Sequence, residues 1–331
     1  MQSTESGDVV IGVIGGSGLG DALGGEAGTA RTLDTPFGPP SGPVTETRWS
    51  GTPVFLLQRH GPGHVLNPSA VPYRANIYAM KQLGVTHLLA SGATGSLREH
   101  LRPGELVVID QVIDKTYRRA HTLYEHAAVH VEFSDPFCPV MRAWLLAAAE
   151  RAESENGAVT VHDGGTYVCM EGPAFSTRAE CAMHRQWGGD LIGMTAMPEA
   201  KLAREAEMAY AMVAMPTDYD CWRPRGGGSE SGGESGGESG GEGGGESEGV
   251  GGKSCDAKGM DLLQEIIGNL KQATAANLAL MKAALEDLSV LRATASPAHQ
   301  ALALGIWSDR SRIPAAEIER LGVLWGHRFD G

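Results

Sequence analysis

Residues 9–19, Val-Val-Ile-Gly-Val-Ile-Gly-Gly-Ser-Gly-Leu, place a short apolar run directly before a glycine-rich turn. The branched side chains of 9–14 favour a buried β-strand, and the glycines that follow favour a tight turn. In such a turn backbone N–H groups can approach an anion closely, and Ser17 adds a hydroxyl donor. The dinucleotide fingerprint Gly-x-Gly-x-x-Gly is not met, because Asp21 stands where its third glycine would be. A plain turn between a strand and a loop is the alternative.

Further apolar runs predict strands, and helical patterns lie between several of them. The predicted strands after the first are 54–58, 87–91, 106–110, 166–170 and 210–215. The predicted helices are 72–82, 139–153, 177–187 and 198–207. Since strands alternate with helices, the sequence predicts a single α/β domain with a mostly parallel or mixed β-sheet core flanked by helices. A ligand site is expected beyond the strand ends.

The composition limits the class of partner. The formal net charge is −13, and residues 226–252 contribute six glutamates with no lysine or arginine. This balance argues against nucleic acid or an anionic membrane as a partner. The first ten residues lack the cationic and apolar regions of a signal peptide, and no run approaches a membrane span, so we expect a cytoplasmic protein. The five cysteines are widely spaced and form no Cys-x-x-Cys pair, which predicts reduced thiols, mostly in the core.

The chain divides into four segments. Residues 1–225 hold the strands and helices of the core, and 226–252 form a Gly/Ser/Glu insertion that is predicted to be disordered because it has little to bury. Residues 253–291 are predicted to return to the core as a helix, and 292–331 form a tail whose role the sequence does not indicate. The apolar stripe of that helix is Leu263, Ile267, Leu270, Thr274, Leu278, Met281, Leu285 and Leu288.

The second strand ends at Gln58-Arg59-His60-Gly61, which puts a guanidinium fork and an imidazole side by side at a strand end. This pair suits a tetrahedral oxyanion. A surface ion pair is the alternative for Arg59. His60 and His64 have the spacing of a metal pair on a helix, but Gly61-Pro62-Gly63 between them prevents a helix, so we expect no metal site.

Small residues follow the third strand as well. The turn Ser91-Gly92-Ala93-Thr94-Gly95-Ser96 offers amides and hydroxyls that could face the same anion as the first turn. Neither turn has the Gly-x-x-x-x-Gly-Lys-[Ser/Thr] pattern of nucleoside triphosphate hydrolysis. The anion is therefore predicted to be free inorganic phosphate.

Glu171-Gly172-Pro173 and Thr217-Asp218-Tyr219-Asp220 also follow predicted strands, and Met194-Thr195 follows a short apolar stretch. Two aspartates two residues apart after a strand can address one ligand, one holding or sharing a proton and the other accepting from an amine. A solvated turn is the alternative for these aspartates.

Taken together, these segments resemble the methylthioadenosine and purine nucleoside phosphorylase family. The resemblance runs from Ile11 to about Trp222 and resumes in the helix after the insertion. Its motifs are IGVIGGSGL, DTPFGPPS, RHGPGHxxxP, YRANIYAMK, GSLRE, PGELVVIDQ, EGPAFSTRAE, GMTAMPEA and AMPTDYDCW. It implies the nucleoside phosphorylase fold, a homotrimer with sites at subunit interfaces, and no metal or organic cofactor.

The resemblance also implies roles for individual residues. Those expected to hold phosphate are Ser17, Arg59, His60, Gly92, Ala93 and Thr195. Those expected to hold the nucleoside are His64, Phe175, Met194, Asp218 and Asp220, with His130 entering the site of a neighbouring subunit. Asp218, Asp220 and His60 are the expected catalytic residues.

The expected reaction splits 5′-methylthioadenosine with phosphate into adenine and 5-methylthioribose 1-phosphate. Asp218 and Asp220 favour a 6-aminopurine, because a 6-oxopurine would need a donor at one of these positions. Gly193 and Gly92 depart from the common residues of methylthioadenosine enzymes, and Gly193 is closer to the 6-oxopurine type. A 6-oxopurine nucleoside phosphorylase and a non-catalytic nucleoside-binding protein are the alternatives.

Overall fold

An eleven-stranded mixed sheet lies at the centre of the computed structural model, which describes residues 8–16, 19, 28–155, 157–223 and 255–329. Of 255–263 and 265 only the backbone is described. Ser17 and the predicted disordered insertion 226–252 lie outside the described residues. Two further short strands, β8 and β9, pair only with each other. The strands are β1 Ile11–Gly15, β2 Thr29–Arg31, β3 Val44–Trp49, β4 Thr52–Gln58, β5 His87–Ser96, β6 Leu106–Val108, β7 Gln111–Lys115, β8 Glu153–Ser154, β9 Gly157–Ala158, β10 Val161–Asp163, β11 Thr166–Met170, β12 Leu191–Gly193 and β13 Ala209–Asp218.

The helices of the described residues connect these strands or follow them. They are α1 Tyr73–Gln82, α2 Pro139–Ala149, α3 Arg178–Gln186, α4 Ala196–Glu205, α5 Cys255–Leu285, α6 Ser289–Ala293, α7 Ala315–Arg320 and α8 Gly322–Trp325. Strands and helices alternate as predicted, and the α/β fold class with a mixed sheet flanked by helices is confirmed. None of these helices has the length and apolar character needed to cross a bilayer.

Strand β5 organises the sheet because it belongs to two branches. In the longer branch the order is β10-β6-β13-β5-β1-β4-β3-β2, and β4, β1, β5 and β13 are parallel neighbours. The last residues of β5, Gly95 and Ser96, pair antiparallel with β12, which leads to β11 and β7. The carboxyl ends of four parallel strands therefore meet at one edge, and β12 also ends beside that edge.

Both faces of the sheet are covered, which explains why the sequence of β13 is almost wholly apolar. Tyr210, Met212 and Ala214 pack on the same side as α1 and α4, whereas Ala211 and Val213 pack on the side of α2 and α5. Successive side chains of a strand point to opposite faces, so a strand covered on both faces is apolar throughout.

The tail after α6 packs into the main core. Leu302, Ile313, Leu321 and Leu324 are buried together with residues of α1 and α4, and Trp325 is fully buried. The Trp325 ring lies 4.6 Å from that of Tyr124. The described part of the tail thus covers one face of the sheet.

Candidate active site

A cavity of about 310 Å³ opens at the edge where β1, β4, β5 and β13 end. It is also lined by the segment after β12, by residues 173–176 and by α5. Among the predicted site residues, Arg59 and His130 do not line it, and Ser17 lies outside the described residues. The structure does bring together His60, His64, Gly92, Ala93, Phe175, Met194, Thr195, Asp218 and Asp220.

One end of the cavity is built from small residues. A Cβ atom added to Gly16 would lie 2.9 Å from the carbonyl oxygen of Ser91, and one added to Gly92 would lie 3.2 Å from Oγ1 of Thr195. Met197, the second residue of α4, has a non-helical φ of −119° and ψ of 138°, so the regular part of that helix begins after Thr195 and Met197. Close-packed backbone and the hydroxyl group of Thr195 suit an anion such as phosphate.

Arg59 lies behind this end of the cavity rather than in it. Its guanidinium is fully buried, and its Nε and Nη2 each donate to a Glu199 carboxylate oxygen at 2.8 Å. Nη1 donates to the carbonyl oxygen of Ser91 at 2.8 Å. The alternative of a surface ion pair is therefore wrong. The fork is also engaged by Glu199, and the expected contact of Arg59 with phosphate stays a prediction.

His60 lines the cavity as a neutral imidazole. Burial, followed by the nearby charge of Arg59, lowers the pKa of His60 to about 4. Its Nδ1 lies 2.8 Å from the carbonyl oxygen of Leu66, which assigns the proton to Nδ1 and leaves Nε2 as an acceptor. The ring stacks on that of His64 with centroids 4.2 Å apart. His60 can therefore accept a hydrogen bond at Nε2.

The opposite end of the cavity holds two carboxylates. The register of β13 against β5 shifts at Thr217, which places Asp218 opposite Gly95. Thr217 Oγ1 donates to Asp218 Oδ2 at 2.9 Å, and the backbone N–H of Asp220 donates to Asp218 Oδ1 at 2.7 Å. Both aspartates are partly buried and line the cavity, so the alternative of a solvated turn is wrong.

Gly95 and the backbone of Asp220 make this end possible. A Cβ atom on Gly95 would lie 3.3 Å from Asp218 Oδ1 and 3.2 Å from Asp220 Cβ, so a larger residue would push the carboxylates away from β5. Asp220 has a φ of 50°, a left-handed conformation that aspartate tolerates better than most residues. Burial raises the pKa of Asp220 above its ordinary value.

Apolar side chains close the space between the two ends. Ile266 and Leu270 of α5 line one wall, and Phe175 lies at the opening with 65% of its surface exposed. The helix that follows the insertion thus contributes directly to the cavity, on the part of α5 whose side chains are described.

The backbone of Met194 is held by a buried ion pair between Arg119 and Glu171 that the sequence did not predict. Arg119 donates from Nη1 to the Met194 carbonyl oxygen at 2.6 Å and from Nε to Glu171 Oε1 at 3.2 Å. Burial alone would raise the pKa of Glu171, but hydrogen bonds from Ser69 and from the backbone of Tyr117 lower it to about 2. The position of Glu171 after a strand was visible in the sequence. Arg119 lies in a stretch without helical or strand periodicity, so the sequence did not indicate its role.

His130 lies away from the cavity of its own subunit. It is exposed, and its ring lies 4.5 Å from that of Trp307, which is 71% exposed. Its backbone N–H donates to the Gly305 carbonyl oxygen at 2.8 Å. The expected contact of His130 with a neighbouring site stays a prediction.

Comparison with known proteins places this architecture in a family. Residues 10–235 match the model of the phosphorylase superfamily. The chain is 51% identical over 219 residues to an S-methyl-5′-thioadenosine phosphorylase of Cereibacter sphaeroides, covering 66% of this chain and 74% of that relative. It is 42% identical to the enzyme of that name from Geobacter sulfurreducens over 96% of this chain and 98% of the relative. This chain belongs to the phosphorylase superfamily.

Solved structures agree with this assignment. A methylthioadenosine phosphorylase from an antarctic soil metagenomic library superposes with a TM-score of 0.75 at 38% identity, covering 96% of this chain and 98% of that one. A methylthioadenosine phosphorylase from Schistosoma mansoni, in complex with adenine, has a TM-score of 0.71 at 30% identity, covering 91% of this chain and 99% of that one. The nucleoside phosphorylase fold expected from the sequence is confirmed.

The buried Arg59–Glu199 pair leads to a prediction about stability. Arg59→Met should lower the free energy of unfolding by about 3–5 kcal/mol, because it leaves the Glu199 carboxylate buried without its partner. The double variant Arg59→Met/Glu199→Gln should lose less than Arg59→Met alone, because it leaves no buried charge behind. Urea unfolding at one fixed protein concentration measures both values.

The matched control is Arg31→Met, which removes an exposed ion pair with Glu46. It should change the free energy of unfolding by at most about 1 kcal/mol. Equal losses for Arg31→Met and Arg59→Met would contradict the structural role given to the buried pair.

Proposed function

We propose that this chain catalyses the phosphorolysis of 5′-methylthioadenosine to adenine and 5-methylthioribose 1-phosphate. The observation that carries the proposal is the polarity of one cavity, with small residues and the Thr195 hydroxyl at one end and Asp218 and Asp220 at the other. The names of the relatives support the same reaction. Phosphate is a co-substrate in this proposal, and no metal or organic cofactor takes part.

Phosphate would bind at the end formed by Gly16, Gly92, Ala93 and Thr195, beside His60. A glycosidic bond breaks with positive charge developing on the sugar, so a phosphate held beneath the ring stabilises that charge and attacks the anomeric carbon. The neutral His60 can accept a hydrogen bond at Nε2 from a protonated phosphate oxygen. Ser17, two residues after the end of β1 in the sequence, stays a predicted phosphate ligand.

The purine would lie at the opposite end. Asp218 would supply or share a proton at an imidazole nitrogen of the base, and Asp220 would accept a hydrogen bond from the exocyclic amine of adenine. Met194 would lie under the ribose, with Phe175 against the base and His64 near the sugar. The apolar side chains of Ile266 and Leu270 suit a methylthio group better than a hydroxyl group.

Gly193 has a local explanation that does not depend on the base. A Cβ atom at this position would lie 1.9 Å from the hydroxyl oxygen of Tyr167, so no larger residue fits beside that ring. Tyr167 is fully buried, and the backbone N–H of Thr195 donates to its hydroxyl oxygen at 3.3 Å. The packing of Tyr167 therefore accounts for Gly193 and removes it as an argument for a 6-oxopurine substrate.

The substrate proposal predicts an order of rates. Phosphorolysis should be fastest with 5′-methylthioadenosine, slower with adenosine because its 5′-hydroxyl would face the apolar wall, and slowest with inosine because Asp220 cannot donate to a 6-oxo group. Comparison of kcat/KM for the three nucleosides measures the order. A preference for inosine would favour the 6-oxopurine alternative, and no turnover of any of them would favour a binding protein.

The role of Asp218 predicts the effect of a nearly isosteric change. Asp218→Asn should lower kcat for an adenine nucleoside by at least about tenfold, because the amide cannot supply the proton. Glu150→Gln, an exposed carboxylate at the end of α2, serves as the matched control and should leave kcat unchanged. An unchanged kcat in Asp218→Asn, measured in a folded protein, would rule out this role.

We also propose a cytoplasmic homotrimer in which His130 completes the site of a neighbouring subunit. Leu304 and Trp307 are 90% and 71% exposed, and both lie close to His130 in the fold. Exposed apolar side chains grouped beside a polar rim are typical of protein interfaces. The four cysteines whose side chains the structure describes are free thiols, which is compatible with a reducing compartment.

Light scattering should therefore give the mass of three chains. Trp307→Glu should shift the mass toward the monomer and lower activity, because a charge cannot be buried at the interface without a partner. The exposed Trp187, on the surface after α3, provides the control, and Trp187→Glu should leave the mass unchanged. A fully active monomer of the unmodified chain would contradict this proposal.

A further inference from the structure

Two cysteines that are far apart in the sequence meet beside the base end of the cavity. Cys181 lies on α3 and Cys221 directly after Asp220. The Cys181 and Cys221 sulfur atoms and a carboxylate oxygen of Asp220 all lie within 4.8 Å of one another. The spacing of the cysteines along the chain gave no hint of this group, because it depends on how α3 packs against the end of β13.

The group is held from both sides. Thr177 and Glu180 form a reciprocal capping box that fixes the first turn of α3, where Cys181 lies. On the other side, Trp222 Nε1 donates to the Ser96 carbonyl oxygen at 2.8 Å, which anchors the turn that contains Cys221. The guanidinium of Arg185 lies 4.0 Å from the centre of the Trp222 ring and joins α3 to that turn.

The donor set suits a particular class of ion. Two thiolates and one carboxylate are ligands of Zn²⁺ and of the softer Cd²⁺, whereas Mg²⁺ and Ca²⁺ prefer oxygen alone. Zinc–sulfur bonds of about 2.3 Å in a tetrahedron put two sulfur atoms about 3.8 Å apart. The two sulfur atoms would therefore have to approach each other by about 1 Å or less.

The surroundings are compatible with a metal–thiolate centre. Cys181 is fully buried among Leu97, Val168 and Ile192, and Cys221 packs against the same apolar cluster. Without a metal ion, burial raises the pKa of both thiols, so they are protonated at neutral pH. An ion would have to displace these protons, as it does when cysteine sites in other proteins are loaded.

We propose that Cys181, Asp220 and Cys221 form a binding site for a thiophilic divalent cation, and that occupation of this site blocks recognition of the base. One M²⁺ ion would form two metal–sulfur bonds and one metal–oxygen bond and release the two thiol protons to solvent, with no change in oxidation state. The carboxylate of Asp220 would then be bound to the cation instead of the nucleoside. This last consequence rests on the proposed role of Asp220, whereas binding of the ion does not.

Cadmium is the probe, because its thiolate complexes have an ultraviolet charge-transfer band. The full-length chain is treated with a chelator, kept reduced and titrated with CdCl₂ while the band and phosphorolysis are both followed. We expect the band to saturate at one strongly bound ion per chain, with loss of activity that a chelator reverses. Adenine should weaken cadmium binding, because both need Asp220.

Cys221→Ser and Cys181→Ser should each weaken cadmium binding at least about tenfold. Loss of a residue that only hydrogen-bonds to a metal ligand already lowers metal affinity by about that factor. Serine keeps a hydroxyl in place of the thiol and is close to it in size. Two variants are used so that one still tests the site if the other does not fold. Cys138→Ser, at a buried thiol 3.2 Å from Ser296 Oγ, is the matched control and should bind cadmium as the unmodified chain does.

The cadmium band tests the ion site, and phosphorolysis tests the effect of the ion on the reaction. A band that is unchanged in Cys221→Ser and Cys181→Ser, or absent from the unmodified chain, would overturn the site. A band that is lost in both variants while activity stays insensitive to cadmium would keep the ion site and overturn its link to Asp220. Turnover of nucleosides without cadmium tests the proposed function separately.

Discussion

The ion pair between Arg59 and Glu199 is the constraint on which the edge of the sheet depends. Arg59 follows β4 and donates to the Ser91 carbonyl oxygen of β5, while Glu199 belongs to α4. Tyr210 of β13 donates from its hydroxyl to Glu199 Oε1 at 2.8 Å. Charges buried this completely are tolerated only where hydrogen bonds surround them. One pair thus links β4, β5 and β13 to α4.

Strand β5 connects the phosphate end of the cavity to the base end. Its residue Gly92 faces Thr195, and Gly95, three residues on, lies against the two aspartates. A single strand therefore sets the distance between the two ends of the cavity. Small residues at both positions are needed because each lies within contact distance of a polar side chain, and a larger residue would close the cavity from within.

The sequence predicted β1, β4, β13 and the first half of β5 because their apolar runs are buried on both faces, and it predicted the polar residues at the ends of β4 and β13 because those break the apolar pattern. The turn predicted over 91–96 is wrong, since these small residues form the second half of β5 and pair with β13 and β12. The sequence could not predict the partner of Arg59, since nothing local relates it to Glu199, which lies on another element. The same limit applies to Arg119 and to the meeting of Cys181 with Cys221. The three-residue strand β12 was too short for its own pattern to indicate it.

The charges of the cavity determine how a nucleoside and phosphate can lie in it. Asp218 and Asp220 would repel a phosphate dianion, and the low polarity of the walls around Ile266 and Leu270 strengthens that repulsion. At the other end His60 is neutral, and the small residues Gly16 and Gly92 leave room for an anion beside the hydroxyl group of Thr195. Phosphate is therefore favoured at one end only. A base that can accept a proton or donate an amine is favoured at the other, which leaves the sugar between them, where its bond to the base has to break.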